Sequence, residues 1–274
     1  YIKDAFLAMG VGNVEYIYAS DVVSDNAYWQ LVLKIAKETT LARVRRAMDI
    51  MGRKAEEAEK DISKFFYPLM QVADIFEMKL DCVCAGIDQR KAHMLARDVA
   101  EKMSIKKPVC LHTHLLLGLE GFSTERKTVY DENETISLQI GTKMSKSKPE
   151  TCIFIHDSPE TIRKKIKNAF CPEGEVEFNP VLDWVKYLIF RDEKSELLVE
   201  RPQKYGGDIT YHSYEEVEKD FLKKRLHPMD LKNAVAEKLI KLLEPARKHF
   251  EQPRAKKMLA ELETLILESK KFHY

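Results

Sequence analysis

A chain of 274 residues is long enough to bury a substantial core and predicts one large domain or two smaller ones. The net charge of +1 excludes a chain that is basic throughout, so a nucleic-acid partner would have to contact local basic patches. No apolar run reaches the roughly 18 residues that a membrane span needs.

Cysteine and histidine usage favours a reducing compartment and argues against a resident metal. The five cysteines show no CxxC spacing. Cys82 and Cys84 alternate within an apolar run, which predicts reduced thiols in the core of a cytoplasmic protein. His112 and His114 alternate as on a strand, without a metal-type partner sequence. We therefore predict no protein-bound metal.

The chain opens with "YIKDAFLAMG", a pattern typical of a helix that ends at a glycine cap, Gly10. Residues 14–20 form a β-branched and aromatic run that predicts a strand. A helix should follow, with apolar residues on one side at Trp29, Val32, Leu33 and Ala36. The charged stretch "GRKAEEAEKD", residues 52–61, predicts a helix exposed on most sides.

The stretch from Phe65 to Phe76, "FFYPLMQVADIF", predicts a buried helix with Pro68 in its first turn. Tyr67, Gln71 and Asp74 are spaced i, i+4 and i+7, so they share one helix face. A phenol, an amide and a carboxylate in a row favour either a buried hydrogen-bond network or one wall of a binding pocket.

Strands and helices alternate through the first half of the chain. Apolar strands are predicted in "LDCVCAG" and "KPVCLHTHLLL", with an amphipathic helix between them. This order is typical of an α/β fold with a parallel sheet. Residues 118–142 show no regular period, and the chain beyond is helical in pattern. We therefore predict a boundary near residue 150 between an α/β part and a mostly helical part.

The pentapeptide "KMSKS", residues 143–147, predicts a mobile cationic loop that closes over a polyphosphate and neutralises a pyrophosphate leaving group. The alternative is a solvated linker. Asp88 and Gln89 follow a predicted strand and open a helix, where ligands of α/β sheets bind. The alternative for Asp88 is a helix cap.

KMSKS is a signature of class I aminoacyl-tRNA synthetases, and the chain resembles the tyrosyl-tRNA synthetases of the archaeal and eukaryotic cytosolic type. The resemblance depends on ordered segments across residues 30–250, namely "YPLMQVAD", "GIDQRKAHMLAR", "KMSKS", "DSPETIRKKIKNAFCPEG", "RPQKYGGDIT" and "HPMDLKNAVAEKLIKLLEPAR". It implies that residues 1–150 form the C-terminal portion of a Rossmann-type catalytic domain with connective helices and the KMSKS loop. Residues 151–274 would form a helical anticodon-binding domain.

The resemblance also implies a tyrosine pocket. Asp74 would accept a hydrogen bond from the substrate phenol, and Tyr67, Gln71 and Gln89 would hold its ammonium group. Phenylalanine, which lacks the hydroxyl, would leave the carboxylate unpaired and be rejected, as a tyrosyl enzyme exemplifies.

The nucleotide would be ATP, which acts as a substrate together with Mg²⁺. Gly86 and Asp88 match positions that approach the adenylate ribose. Lys143 and Lys146 would stabilise the pyrophosphate while the tyrosine carboxylate attacks the α-phosphorus. The expected ATP-binding set is completed by the loop residues Met144, Ser145 and Ser147. Catalysis would consist of positioning and charge stabilisation.

The resemblance further implies contacts with tRNA(Tyr). Arg46 and Arg90 match positions near the first base pair of the acceptor stem. The alternative for Arg46 is a solvated helix face. Tyr205, His227 and Asp230 match anticodon-recognising positions, where an aromatic ring stacks on an unpaired base. Asp230 has a competing role as a helix cap. A homodimer is expected, with an interface around residues 30–60.

The chain departs from the family pattern in four ways. None of its histidines lies in an HxGH context, so we expect about a third of the catalytic domain to precede Tyr1. Residues 120–142 are longer than the usual link to the signature loop. Lys146 replaces the serine that is common in KMSSS. Residues 251–274 extend past the usual end as a predicted helix.

Three alternatives remain open on sequence grounds. The first is a truncated, non-catalytic synthetase that binds tRNA or another protein. The second is a tryptophanyl-tRNA synthetase. The third is an unrelated α/β phosphate-binding protein that carries KMSKS by chance.

Overall fold

The computed structural model describes residues 1–48, 61–121, 134–145 and 148–269. Helices dominate this part of the chain, and strands are few and short. In chain order, the elements are α1 (Ile2–Ala8), α2 (Ala19–Val23), α3 (Asn26–Lys37), α4 (Leu41–Ala47), α5 (Ser63–Glu77), β1 (Cys82–Gly86), α6 (Arg90–Lys102), β2 (Val109–Thr113), α7 (Glu134–Thr142), α8 (Pro159–Lys167), α9 (Pro180–Trp184), β3 (Leu197–Val199), β4 (Ile209–Tyr211), α10 (Tyr214–Leu222), α11 (Pro228–Leu242), α12 (Glu244–Phe250) and α13 (Pro253–Ser269).

The chain divides into two compact units. The sheet unit comprises Ile17–Leu116 and Ser123–Lys143, and the helical unit comprises Tyr1–Tyr16, Leu117–Phe122 and Met144–Tyr274. None of the described helices is both long and apolar enough to cross a membrane.

The sheet unit contains the parallel pair that the sequence predicts. Strands β1 and β2 pair in parallel from Cys82 opposite Val109 to Gly86 opposite Thr113. Helix α6 forms the crossover between them, as parallel strands require. The α/β class with a parallel sheet followed by a mostly helical region is confirmed.

Helix α5 lies against α3, α4 and α6. Its apolar positions, including Leu69, Val72 and Ile75, are buried in a core that also contains Val32 of α3 and Leu95 of α6. Burial of such side chains contributes roughly 1.5–3 kcal/mol each and fixes the rotation of α5 about its axis. The row of polar residues on α5 is positioned as a consequence.

Pro68 lies inside α5 and not in its first turn, because the helix begins at Ser63. The prediction of a start near Pro68 is therefore wrong. A proline at this position removes the hydrogen bond to the carbonyl of Lys64, four residues earlier. Burial of Pro68 and Leu69, both covered in the folded chain, offsets that loss.

Cys82 and Cys84 are exposed, so their assignment to the core is wrong. They lie on one face of the two-stranded sheet, opposite Val109 and Leu111 of β2, which are 56% and 55% exposed. Alternation in a strand shows that two residues share a face, but it does not show which face is covered.

Two further segments differ from the predictions. Residues 14–18 form no strand, and α2 begins at Ala19 after Tyr18, whose backbone is extended (φ −86°, ψ 130°). Within 118–142, α7 forms a helix over Glu134–Thr142 where an irregular chain was expected. The predicted helix at 52–61 lies, except for Asp61, outside the described residues.

The helical unit has a core around α8, α11 and the antiparallel pair β3–β4. Ser158 caps α8 by accepting a hydrogen bond from the Thr161 N–H at 3.2 Å, and Ser213 caps α10 through the Glu216 N–H at 3.3 Å. Serine is a preferred residue at this position, because its side-chain oxygen accepts a hydrogen bond from a free N–H group of the first turn.

A buried ion pair links α8 to the residues that precede it in this unit. Lys165 Nζ of α8 lies 2.7 Å from Asp157 Oδ2, and the two side chains are only 8% and 10% exposed. The Phe154 N–H donates to the same carboxylate at 2.9 Å, and the Phe154 ring centroid lies 5.0 Å from the ammonium group.

We predict that Lys165→Met lowers the free energy of unfolding by about 3–5 kcal/mol, because Asp157 would be left buried without its cation. Urea denaturation followed by circular dichroism measures the change. Lys164→Met, at an exposed position on the same helix, is the matched control and should change stability by no more than about 0.5 kcal/mol. Equal stability of the two variants would contradict a structural role for the pair.

Candidate functional site

Helix α5 carries the predicted row of Tyr67, Gln71 and Asp74. Tyr67 is half-exposed, whereas Gln71 and Asp74 are partly buried. Gln89, which follows β1 in the short 3₁₀ turn Ile87–Gln89, contacts this row. The Gln71 Nε2 donates to Gln89 Oε1 at 3.1 Å. The structure therefore brings together Gln71 and Gln89, which lie 18 residues apart in the chain.

Gln71 contains an unpaired acceptor. Its Oε1 atom is buried and has no hydrogen-bond partner among the described residues. An unsatisfied buried polar atom costs about 1–3 kcal/mol, and folded proteins keep few of them. The surroundings of this oxygen are therefore suited to a hydrogen-bond donor supplied by a ligand.

Asp74 has a partner that the sequence did not suggest. Its Oδ1 accepts a hydrogen bond of 2.8 Å from the hydroxyl of Tyr28, which lies on α3. Burial raises the pKa of the Asp74 carboxyl, and the bond from Tyr28 partly opposes that rise. Burial and the neighbouring carboxylate raise the pKa of the Tyr28 phenol as well. Tyr28 therefore acts as the donor and Asp74 as the acceptor.

The predicted apolar stripe of α3 was only partly right, because Val32 is buried and Ala36 partly buried, whereas Tyr28 and Ile35 were left out of it. The buried positions of this helix are Tyr28, Val32 and Ile35, whereas Trp29 and Leu33 are 41% and 62% exposed. The three buried positions have the same i, i+4, i+7 spacing as the row on α5. A polar group at the end of a buried stripe was the available clue.

The carboxyl end of β1 forms the second part of the site. A Cβ atom at Gly86 would lie 2.7 Å from Asp88 Oδ1 and 2.7 Å from Leu115 Cδ2, so any larger residue here would displace these two side chains. Lys143 Nζ donates to Asp88 Oδ2 at 2.6 Å. Asp88 makes no helix-cap hydrogen bond, and the capping interpretation of this residue is therefore wrong.

Only part of the KMSKS loop is described. Lys143 belongs to the sheet unit, and Met144 and Ser145 begin the next segment of the helical unit. Lys146 and Ser147 lie outside the described residues. The pair that Lys143 forms with Asp88 joins the first lysine of the loop to the carboxylate expected at the ribose.

A histidine pair lies behind this end of the sheet. His93 Nδ1 of α6 and His112 Nε2 of β2 are 3.0 Å apart, and their rings stack. Burial lowers the pKa of both imidazoles, so the pair is neutral and shares one N–H hydrogen bond. The pair fixes α6 to β2, next to Arg90.

The two arginines expected at the acceptor stem are exposed. Arg46 lies in the last turn of α4, and Arg90 is the first residue of α6. Arg90 contributes to the lowered pKa of His112.

The residues expected at the anticodon lie in two segments that are connected through hydrogen bonds of Arg201. Tyr205 is 62% exposed, and Lys204 Nζ lies 4.8 Å from its ring centroid. The two glycines at 206 and 207 follow with φ values of +100° and +72°, which glycine adopts without strain. Arg201 donates to the carbonyl of Gly207 at 3.0 Å and to that of Arg225, two residues before His227, at 3.2 Å.

His227 is the cap of α11. Its Nδ1 accepts a hydrogen bond from the Met229 N–H at 3.1 Å, so the capping role considered for Asp230 belongs to His227. Asp230 lies in the first turn, where a carboxylate is favoured by the helix dipole, and it is partly exposed.

Comparisons with known proteins show the family to which the chain is related. A family model described as tRNA synthetases class I (W and Y) matches residues 2–244. The tyrosine–tRNA ligase of Pyrococcus furiosus is 52% identical over 248 residues, which cover 87% of this chain and 65% of the relative. That of Sulfurisphaera tokodaii is 51% identical over 263 residues, which cover 95% of this chain and 71% of the relative.

Solved structures give the same result. The tyrosyl-tRNA synthetase of Pyrococcus horikoshii, crystallised with L-tyrosine, matches with a TM-score of 0.85 and 46% identity over 95% of this chain and 74% of that one. A tryptophanyl-tRNA synthetase from Aeropyrum pernix matches with a TM-score of 0.62 at 20% identity, over 95% of this chain and 64% of that one, a likeness of fold alone.

The chain spans about two thirds of the length of the Pyrococcus furiosus and Sulfurisphaera tokodaii ligases. The resemblance to tyrosyl-tRNA synthetases is confirmed by identities near 50%. On the match over residues 2–244 and these identities, the chain belongs to the class I tRNA synthetase family of the W and Y type.

Proposed function

We propose that the chain takes part in the reaction of a tyrosine–tRNA ligase, which is the ATP-dependent activation of L-tyrosine and its transfer to tRNA(Tyr). The observation that supports the proposal is a pair of hydrogen-bond acceptors on the wall formed by α5 and Gln89. One is the unpaired, buried Oε1 of Gln71, and the other is the carboxylate of Asp74.

L-Tyrosine is complementary to this wall because it has a donor at each end. Its phenol would donate to Asp74, and its ammonium group would donate to Gln71 and Gln89, with Tyr67 beside them. The related enzyme of Pyrococcus horikoshii was crystallised as a complex with L-tyrosine, and this likeness supports the assignment.

ATP would bind next to this wall, at the carboxyl end of β1, as ligands of α/β sheets do. The absence of a side chain at Gly86 leaves room for the ribose, and Asp88 would accept hydrogen bonds from its hydroxyls. Lys143 would then leave Asp88 and, together with the other loop residues, stabilise the pyrophosphate. Those other residues are Met144, Ser145, Lys146 and Ser147. Mg²⁺ would enter as the ATP complex.

The tRNA would be contacted at two places. Tyr205 would stack on an anticodon base, and His227 and Asp230 would lie beside it, since Arg201 links their loops. Arg46 and Arg90 would contact the acceptor stem, for which arginine has suitable bidentate geometry. We further propose a cytoplasmic homodimer, as the resemblance implies.

We predict that Asp74→Asn lowers the affinity for L-tyrosine about 10- to 100-fold, since a hydrogen bond to a charged acceptor contributes roughly 1.5–3 kcal/mol. Equilibrium dialysis with labelled tyrosine measures the affinity, and tyrosine-dependent ATP–pyrophosphate exchange measures the activation step. Asp81→Asn is the matched control, because Asp81 forms an exposed ion pair with Lys106.

Two results would count against this assignment. Exchange that depends on tryptophan and not on tyrosine would contradict the tyrosyl assignment. A chain that binds tRNA(Tyr) but neither tyrosine nor ATP would instead support a non-catalytic RNA-binding role.

We predict that Tyr205→Ala weakens tRNA(Tyr) binding about 5- to 100-fold, because base–aromatic stacking contributes about 1–3 kcal/mol per base. Fluorescence anisotropy at one fixed salt concentration measures the binding. Tyr205→Phe, which keeps the ring, should retain the affinity, and Tyr187→Ala at another exposed tyrosine should have little effect. Unchanged binding by Tyr205→Ala would contradict the stacking role.

A further inference from the structure

Tyr28 is buried within the sheet unit, although it carries a hydroxyl. It is 1% exposed, and its ring packs edge-on against Trp29 with centroids 5.6 Å apart. The hydroxyl lies 2.8 Å from Asp74 Oδ1 and 3.2 Å from the carbonyl oxygen of Met70, both on α5. Phenylalanine would fill nearly the same volume, so packing alone does not account for a tyrosine here.

We propose that Tyr28 is a positioning residue for amino-acid specificity, which holds Oδ1 of Asp74 so that Oδ2 is directed to the phenol of the substrate. The inference depends on the proposed tyrosine-binding function of this wall. Tyr28 acts through Asp74 and does not touch the substrate.

The geometry of a carboxylate explains why such a partner matters. Its two oxygens offer about four acceptor positions, and a free carboxylate can rotate to present any of them. A short bond from a rigid, buried phenol fixes one oxygen and thereby the direction of the other. A fixed acceptor discriminates between tyrosine and phenylalanine better than one that can turn towards water.

The charge state of Asp74 is the second part of the inference. An ionised carboxylate only accepts hydrogen bonds, whereas a protonated one can also donate. Burial favours the protonated form, and the bond from Tyr28 favours the ionised form. Of the charged groups on neighbouring helices, Arg43 of α4 is paired with Asp98 of α6 at 2.7 Å. Tyr28 is the titratable group that acts on Asp74 among the described residues.

We predict that Tyr28→Phe raises the pKa of Asp74. When the pH is lowered, the variant should therefore lose tyrosine binding at a higher pH than the wild type does. The sign follows because only ionised Asp74 accepts without competition, and the variant protonates sooner as the pH falls. The preference for tyrosine over phenylalanine should fall about tenfold or more, the loss of one charge-assisted hydrogen bond. Carbon-13 NMR of the aspartate carboxyls gives the pKa without ligand, and equilibrium dialysis from about pH 4 to 8 gives the binding profile.

Tyr211→Phe is the matched control. Tyr211 is also buried and also donates to a carboxylate, Asp220 Oδ2 at 3.2 Å, but it belongs to the helical unit. It should leave the pKa of Asp74 and the tyrosine profile unchanged. An effect of equal size from both variants would overturn the proposal, since it would indicate a general loss of stability.

A double-mutant cycle keeps the test informative if Tyr28→Phe alone is unstable. If Tyr28 acts through Asp74, the Tyr28→Phe change should have no further effect on the tyrosine/phenylalanine ratio in an Asp74→Asn background. Additive effects would overturn the inference. Failure of the wild-type chain to bind tyrosine would reject the proposed function, and the carboxyl titration would still report whether Tyr28 acts on Asp74.

Discussion

The packing of α5 against α3, α4 and α6 is the constraint on which the candidate site depends. Burial of the apolar face of α5 leaves this helix one rotational setting, and that setting places Gln71 beside Gln89 and Asp74 beside Tyr28. The apolar residues of this helix therefore determine the geometry of its polar ones. Burying a polar atom in such a core costs free energy unless the atom forms a hydrogen bond within the protein or with a ligand.

Two lysine–aspartate pairs show how burial separates a structural contact from one that can be released. Lys165 and Asp157 are both at most 10% exposed, and the carboxylate has a further backbone donor. Lys143 is 34% exposed, its partner Asp88 is 11% exposed, and the pair lies where the nucleotide is proposed to bind. Because water can replace the partner of an exposed ammonium group, the second pair can open at a lower free-energy cost than the first.

Local sequence patterns predicted many of the elements, because strands, helix starts and the i, i+4, i+7 row depend on near neighbours. Strands β1 and β2 and the row on α5 were predicted from the residues. Tyr28 was missed, because its contact with Asp74 requires the packing of α3 on α5, which no local pattern contains.

The remaining differences have related physical causes. Cys82 and Cys84 were misplaced because alternation along a strand does not identify the covered face. The pairing of Lys143 with Asp88 joins residues that lie 55 positions apart, and only the folded chain brings them together.

A crystal structure of this chain with L-tyrosine would be the most direct test of the binding wall formed by α5 and Gln89. We expect a phenol oxygen within hydrogen-bond distance of Asp74 Oδ2, with Tyr28 still bound to Oδ1. We also expect the substrate nitrogen within hydrogen-bond distance of Gln71 Oε1. Tyrosine bound in the reverse orientation, or bound away from α5 with Gln71 Oε1 still unpaired, would contradict the proposed binding mode.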